Sequence, residues 1–136
     1  MIKEFCTWLA SRVPGLTLGG NLQVGFRDQD APVRCHVAVE TGGLADFDLP
    51  YRQNVMLQIV TRGPKGEYQQ TRDDAFEIYD AIHGTSGWTI GPLASGGATY
   101  RIWAIGALAM PQYIGGDARG SHEWSCNYQL QASRLA

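Results

Sequence analysis

The chain has 136 residues, 44% of them hydrophobic and 18% charged, with a formal net charge of −2. That length suits one globular domain that folds without staples, and the composition excludes a disordered chain. The charge speaks against non-specific nucleic-acid binding, which needs a basic face, and no run of about 18 apolar residues offers a membrane span. Ile2, Phe5, Cys6, Leu9 and Val13 recur at helical spacing, which predicts an amphipathic helix ending at Pro14-Gly15. With Glu4 and no continuous apolar core, this opening is a poor signal peptide. Leu22, Val24 and Phe26 alternate with Gln23, Gly25 and Arg27, and after a turn at 28–32 Cys35, Val37 and Val39 alternate with Arg34, His36, Ala38 and Glu40. Two strands so close in sequence are expected to form an antiparallel hairpin.

Thr41 to Arg52 reads as a long polar connection containing glycine. A loop of that length in a small domain is functional or mobile. Val55, Leu57 and Ile59 then alternate with Asn54, Met56 and Gln58, giving a central strand. Gly63-Pro64-Lys65-Gly66 breaks the chain. Tyr68, Ala75, Phe76, Tyr79, Ile82 and His83 follow with helical spacing, and Gly84 closes the helix. Gln69, Gln70, Asp73, Asp74, Glu77 and Asp80 occupy most of the other side. Thr85 to Ala98 is weakly structured, with a short strand possible at Trp88 and Ile90. Thr99 to Leu108 is apolar on both faces and belongs inside a sheet. Gln112 to Ser121 reads as a third loop. His122, Trp124, Cys126, Tyr128 and Leu130 then alternate with polar residues in the cleanest period-two run of the chain. The order predicts a single α+β domain: a mostly antiparallel sheet with an N-terminal helix and a central helix packed on it.

The search for chemistry is mostly negative. Cys6, Cys35 and Cys126 lie far apart and read as buried free thiols of a protein made in a reducing cytoplasm. Cys35 and His36 point to opposite faces of a strand, and no H-x-x-x-H or H-E-x-x-H spacing exists, so no metal or other cofactor is expected. His36 reads as solvated, His83 as a helix C-terminal residue and His122 as core-facing. Asp73 and Asp74, about 100° apart on a helix, read as a solvated face. No serine or cysteine sits in a nucleophile motif. The Gly63–Gly66 stretch is not a P-loop, and its G-x-x-G joins a strand to a helix, unlike the clamp of KH domains. Arg62, Lys65 and Arg72 cluster near it, either for solubility or for contact with a polyanion or an acidic neighbour. Phe47, Tyr51, Trp88, Tyr113 and Ile114 sit in or beside glycine-rich segments. They either pack under their own loops or mark a protein interface, where aromatics and arginines supply anchors.

Four stretches carry a resemblance: V-M-L-Q-I-V-T-R-G, D-D-A-F-E-I-Y-D-A-I-H-G, Y-R-I-W-A-I-G-A-L-A-M-P-Q-Y-I-G and D-A-R-G-S-H-E-W-S-C-N-Y-Q-L. In this order they resemble the small minor capsid proteins of tailed bacteriophages, a group similar to the tail terminators of long-tailed phages. The resemblance spans roughly Gln53 to Leu130, and the combination of P-Q-Y-I-G with H-E-W-S-x-N-Y is its most specific part. It implies a structural virion protein without enzymatic activity, made in the bacterial host cytoplasm. Such a protein forms a hexameric ring at the head-proximal end of the tail tube. There it ends tube polymerisation and meets the head–tail connector, while genomic DNA passes through the ring without specific binding. On that reading the subunit and partner contacts fall in Thr41–Arg52, Arg62–Arg72 and Gln112–Ser121. The residues expected there are Phe47, Tyr51, Arg52, Arg62, Lys65, Glu67, Arg72, Tyr113, Asp117 and Arg119. A head–tail connector or neck protein is the nearest alternative. A small nucleic-acid-binding module using Arg62, Lys65 and Arg72 is the competitor of another class, and a small enzyme comes last.

Overall fold

The computed structural model describes residues 1–45 and 52–135, with 44, 45 and 52 described through their backbone alone. The first helix, α1 (Ile2–Arg12), buries Phe5, Cys6 and Leu9 on one stripe, as the sequence spacing requires. It stops at Val13, which is extended, because a residue before proline is pushed out of the helical region. The Val13 N–H still donates to the Leu9 carbonyl at 3.0 Å.

Seven strands follow in one sheet: β1 (Leu22–Val24), β2 (Cys35–Ala45), β3 (Arg52–Gly63), β4 (Trp88–Ile90), β5 (Thr99–Ala107), β6 (Gln112–Gly116) and β7 (His122–Leu135). Their order is β1-β2-β3-β7-β5-β4, with β6 paired to β7 off that path. β7 is the spine. One side of it runs the length of β3, from Arg52↔Ser133 to Gly63↔His122. Its other side is shared end to end by β6 (Gln112↔Ser125 to Gly116↔His122) and β5 (Ala107↔Tyr128 to Thr99↔Leu135). Every pairing is antiparallel except β1 with β2.

That exception corrects the expected hairpin. Leu22, Gln23 and Val24 pair in parallel with His36, Val37 and Ala38. Parallel neighbours need the chain to return to its starting end, and residues 25–34 do so by looping out over the sheet. Arg27 reaches Glu123 of β7 at 3.0 Å, and the Arg62 side chain donates to the carbonyls of Pro32 and Val33 at 3.1 and 2.9 Å. Cys35 and Val37 of β2 are buried, while Phe26 in the loop is exposed. Two expected loops also shorten. β2 continues through Ala45, so residues 41–45 are strand, and Gln112–Gly116 is a strand rather than loop.

The central helix α2 (Tyr68–Ile82) is in the expected place, but its buried stripe is Thr71, Asp74, Ala75, Ile78 and Ile82. Tyr68 and His83 lie near its ends and remain exposed. Both helices cover the same face of the sheet. Phe5, Leu9, Ile78 and Ile82 share one core with Leu57, Ile59, Ile102, Ile105, Tyr128 and Leu130. The opposite face is mostly polar and carries no helix. Asn54, Met56 and Gln58 lie beside Gln131, Gln129 and Asn127 there, and Trp103, at a bulge in β5, donates to Ser133 at 2.8 Å. The expectation that Thr99–Leu108 is apolar and buried on both faces therefore holds for one face only, since a helix-covered antiparallel sheet leaves the other in water.

Candidate interaction surface

One end of the sheet brings together the end of β3, the start of α2 and the β6–β7 turn. Gly63 makes this approach possible, because any side chain there would run into the Thr71 side chain. Thr71 itself is buried, and both its N–H and its hydroxyl donate to the Glu67 carbonyl, at 3.0 and 2.7 Å. Glu67 thus precedes the helix and is held to it through its backbone. Tyr68, on the first turn of α2, then lies against β6 and β7. Its ring meets Tyr113 edge-on at 5.0 Å, Trp124 at 5.4 Å and His122 at 5.6 Å. Tyr113 stacks on Trp124, its cross-strand partner, and its hydroxyl is 2.9 Å from His122 Nδ1. Such ring pairs add about 0.5–1.5 kcal/mol each beyond their burial. His122 is therefore half-buried among rings at this end rather than in the core proper.

Polar groups frame the cluster. The Asp117 carboxylate accepts the backbone N–H groups of Arg119 and Ser121 at 2.8 and 3.2 Å. These bonds, led by that of Arg119, hold its acid below the ordinary carboxylate range, with a smaller attraction from Arg62. The stem of Lys65 lies along Gly120, whose added Cβ would meet Lys65 Cδ at 3.3 Å. Of the residues expected to form the interface, Arg62, Lys65, Tyr113, Asp117 and Arg119 thus converge at this end of the sheet, with Glu67 at the helix entry beside them. Arg72 is tied to its own helix, with its guanidinium 4.1 Å from the Phe76 ring centre and 4.0 Å from Asp73. Phe47 and Tyr51 lie outside the described residues, and Arg52 opens β3. Trp88 is withdrawn from any surface role: it packs on Trp8 at 5.4 Å and under Arg12 at 4.3 Å.

Sequence reasoning singled out Ile114 but missed the rest of the β5–β6 corner. Leu108, Met110 and Ile114 are 59%, 62% and 53% exposed around Pro111. The available signal was three large apolar residues within three places of a proline-marked turn. With the exposed faces of Tyr68 and Tyr113 they run as apolar side chains along the β6 side of the sheet, from the middle of β7 towards this end.

A second polar group lies between the helices. Arg34 holds Asp74 with two bonds, Nε to Oδ2 at 2.6 Å and Nη2 to Oδ1 at 2.7 Å, and Gln70 adds a third at 3.0 Å. Asp74 is buried, which corrects its reading as part of a solvated face. Burial alone would raise its acid, but the bonds from Arg34 and Gln70 outweigh burial and hold it below the ordinary range. His36 corrects likewise: it is 7% exposed, with Nδ1 2.8 Å from the Thr61 hydroxyl. Burial pushes its imidazole down to about 4, so it is neutral near pH 7. Both side chains face inwards because the loop that starts at Pro14 and the α2 helix close over them. Arg34, His36, Asp74, Glu77 and Asn21 line a cavity of about 260 Å³. The Asn21 amide is already used, accepting from Thr17 N–H and donating to the Gly15 carbonyl. The arrangement is a clamp of β2 to α2. Among the described residues no group of three His, Cys, Asp or Glu side chains could hold a metal ion.

Compared with models of known protein families the chain matches none, and no curated protein matches its sequence.

Proposed function

We propose that this protein is a structural component of a phage virion: a tail terminator that forms a ring at the head-proximal end of the tail tube. There it ends tube polymerisation and meets the head–tail connector. One observation carries the reading. The two most specific fragments of the resemblance, P-Q-Y-I-G and H-E-W-S-x-N-Y, are separated in sequence but fold as adjacent strands. Tyr113 pairs with Trp124, and the Tyr113 hydroxyl meets His122. The shared residues therefore build one surface, and that surface ends in exposed apolar side chains. Such a patch fits assembly with other protein. The α+β sheet with both helices on one face agrees with the fold that the resemblance implies.

The test is mass measurement over a range of concentrations, then negative-stain imaging of large species and mixing with isolated tail tubes. The expected result is a closed ring of about six copies with a central hole, or capping of tube ends that stops their growth. A ring of twelve copies that leaves tube growth unaffected would instead indicate a connector. Tubes that elongate unchanged in its presence, with no ring formed, would overturn the reading.

A further inference from the structure

Among the described residues the sheet has two uncovered backbone edges longer than three residues, and they lie at opposite corners. On the β7 side most of the edge is protected. β5 is covered by the chain from Gly84 to Ile90: Gly84 and Gly87 donate to the carbonyls of Ile105 and Ile102, and Ile105 donates to Thr85. His83 completes the cover, with its Nδ1 accepting the Ala107 N–H at 2.9 Å. β6 has no such cover. It pairs with β7 on one side and with nothing on the other among the described residues. On the far side of the sheet β1 covers β2 only at His36, Val37 and Ala38. From Val39 onwards β2 pairs with β3 alone among the described residues. β1 and β4 are three residues each, too short to template a partner. The other two edges are not blunted in that way.

We infer that copies of this chain join head to tail by strand addition, with β6 of one copy pairing with the uncovered half of β2 of the next. A sheet with one open edge would close as a two-fold pair. A sheet with two unlike open edges on opposite sides repeats the same heterologous contact until it closes into a ring or extends as a filament. The shorter edge fits along the longer: β6 has five residues, and the uncovered part of β2 runs from Val39 to Ala45. One edge is apolar at its tip, with Ile114 and Met110 exposed, so backbone pairing and apolar burial act together there. The inference rests on the ring reading and specifies how its subunits meet.

Each edge offers a substitution that spares the monomer. Bulges leave Ile114 unpaired with β7 and Thr41 unpaired with β3. Proline at either position cannot donate an N–H to an added strand, and it falls where the register with the neighbouring strand is already interrupted. Circular dichroism and thermal unfolding would verify that I114P and T41P remain folded. Mass measurement of the wild type should give a multi-subunit species. Each variant alone should be monomeric, and a mixture of the two should give one-to-one dimers that grow no further. In that dimer the intact β2 of I114P meets the intact β6 of T41P. Variants that assemble like the wild type would overturn the inference while leaving the ring standing. Folded single variants whose mixture stays monomeric would overturn the pairing of β6 with β2. A wild type that stays monomeric at millimolar concentration would also overturn it, and capping of tail tubes would then decide the ring reading separately.

Discussion

At the scale of single residues, two positions set sharp expectations. Gly63 lies where β3 hands over to α2, and a Cβ there would collide with the Thr71 side chain. Gly63→Ala forces that contact apart, and overpacking of this kind costs about 1–3 kcal/mol. Urea unfolding should show the loss as a lower midpoint with unchanged slope. Thr71→Ala in the same chain should recover part of it, although alone it loses the bond to Glu67; additive losses would mean that the two residues do not meet. His36 governs acid stability. Its folded pKa, about 4, lies below the ordinary 6.5, so the unfolded chain takes up the proton first. The stability it leaves intact is full above about pH 6.5, falls as the pH drops towards 4, and is then constant. The whole shift corresponds to about 3 kcal/mol. Urea unfolding between pH 7 and pH 4 should show this slope in the wild type. His36→Gln, which keeps a partner for Thr61, should flatten it. A slope that survives in the variant would place the acid-sensitive group elsewhere.

At the scale of elements, the Arg34–Asp74 clamp fastens α2 to the start of β2. Asp74 is buried but Arg34 is 56% exposed, so water shares part of the arginine's work. Asp74→Ala should therefore cost about 1–2 kcal/mol, less than a fully buried charged pair, seen as a lower urea midpoint. Because the Asp74 acid is held below its ordinary value of 3.8, its contribution is lost only as the pH falls through that lower value, on the acid side of the His36 slope. No loss in the variant would mean that α2 is held by its apolar stripe alone. These contacts also mark how far elements could be read from sequence. β7 was legible because His122 to Leu130 alternates strictly and a half-buried strand demands that alternation. α1 was legible from spacing and Pro14. β6 was not, since five residues with two glycines carry no pattern, and only pairing with β7 makes them a strand. The parallel β1 was hidden for the same reason: Arg27 and Arg62, which fasten the return loop, find their partners 96 and about 30 residues away. Asp74 and His36 looked solvated because polarity is local information, whereas their partners Arg34 and Thr61 come from other elements. The interface residues divide likewise. Arg62 and Lys65 with Tyr113, Asp117 and Arg119 were found as two separate segments, and only the register Gly63↔His122↔Gly116 brings those segments to one end.

At the scale of the whole molecule, the charge is nearly balanced and, among the described residues, several of its arginines are engaged. Arg27 holds Glu123, Arg34 holds Asp74, and Arg62 is spent on two backbone carbonyls. Arg12 lies over Trp88 and Arg72 over Phe76. The helix-free face presents Asn54, Gln58, Asn127, Gln129 and Gln131, side chains that carry no charge, beside Arg101, which lies over the Trp103 ring at 5.5 Å. Among the described residues the arginines paired in this way have less to offer a phosphate backbone, where unpaired cations that displace counterions are the main source of affinity for DNA. We therefore expect no retardation of duplex DNA in a gel-shift assay at low salt, where electrostatic binding is strongest. Gln129→Lys combined with Gln131→Lys places two cations on the helix-free face and should create weak binding that disappears as salt is raised. That positive control shows that the assay can detect a face of this size. Wild-type binding that weakens steeply with salt would instead require several phosphate contacts, each adding about 0.9 to the logarithmic slope. It would favour a nucleic-acid-binding module over a ring through which DNA passes unheld. Because Arg62 is committed to Pro32 and Val33, such binding would also have to survive Arg62→Ala, and its loss in that variant would mean that the loop at 25–34 opens to release the arginine.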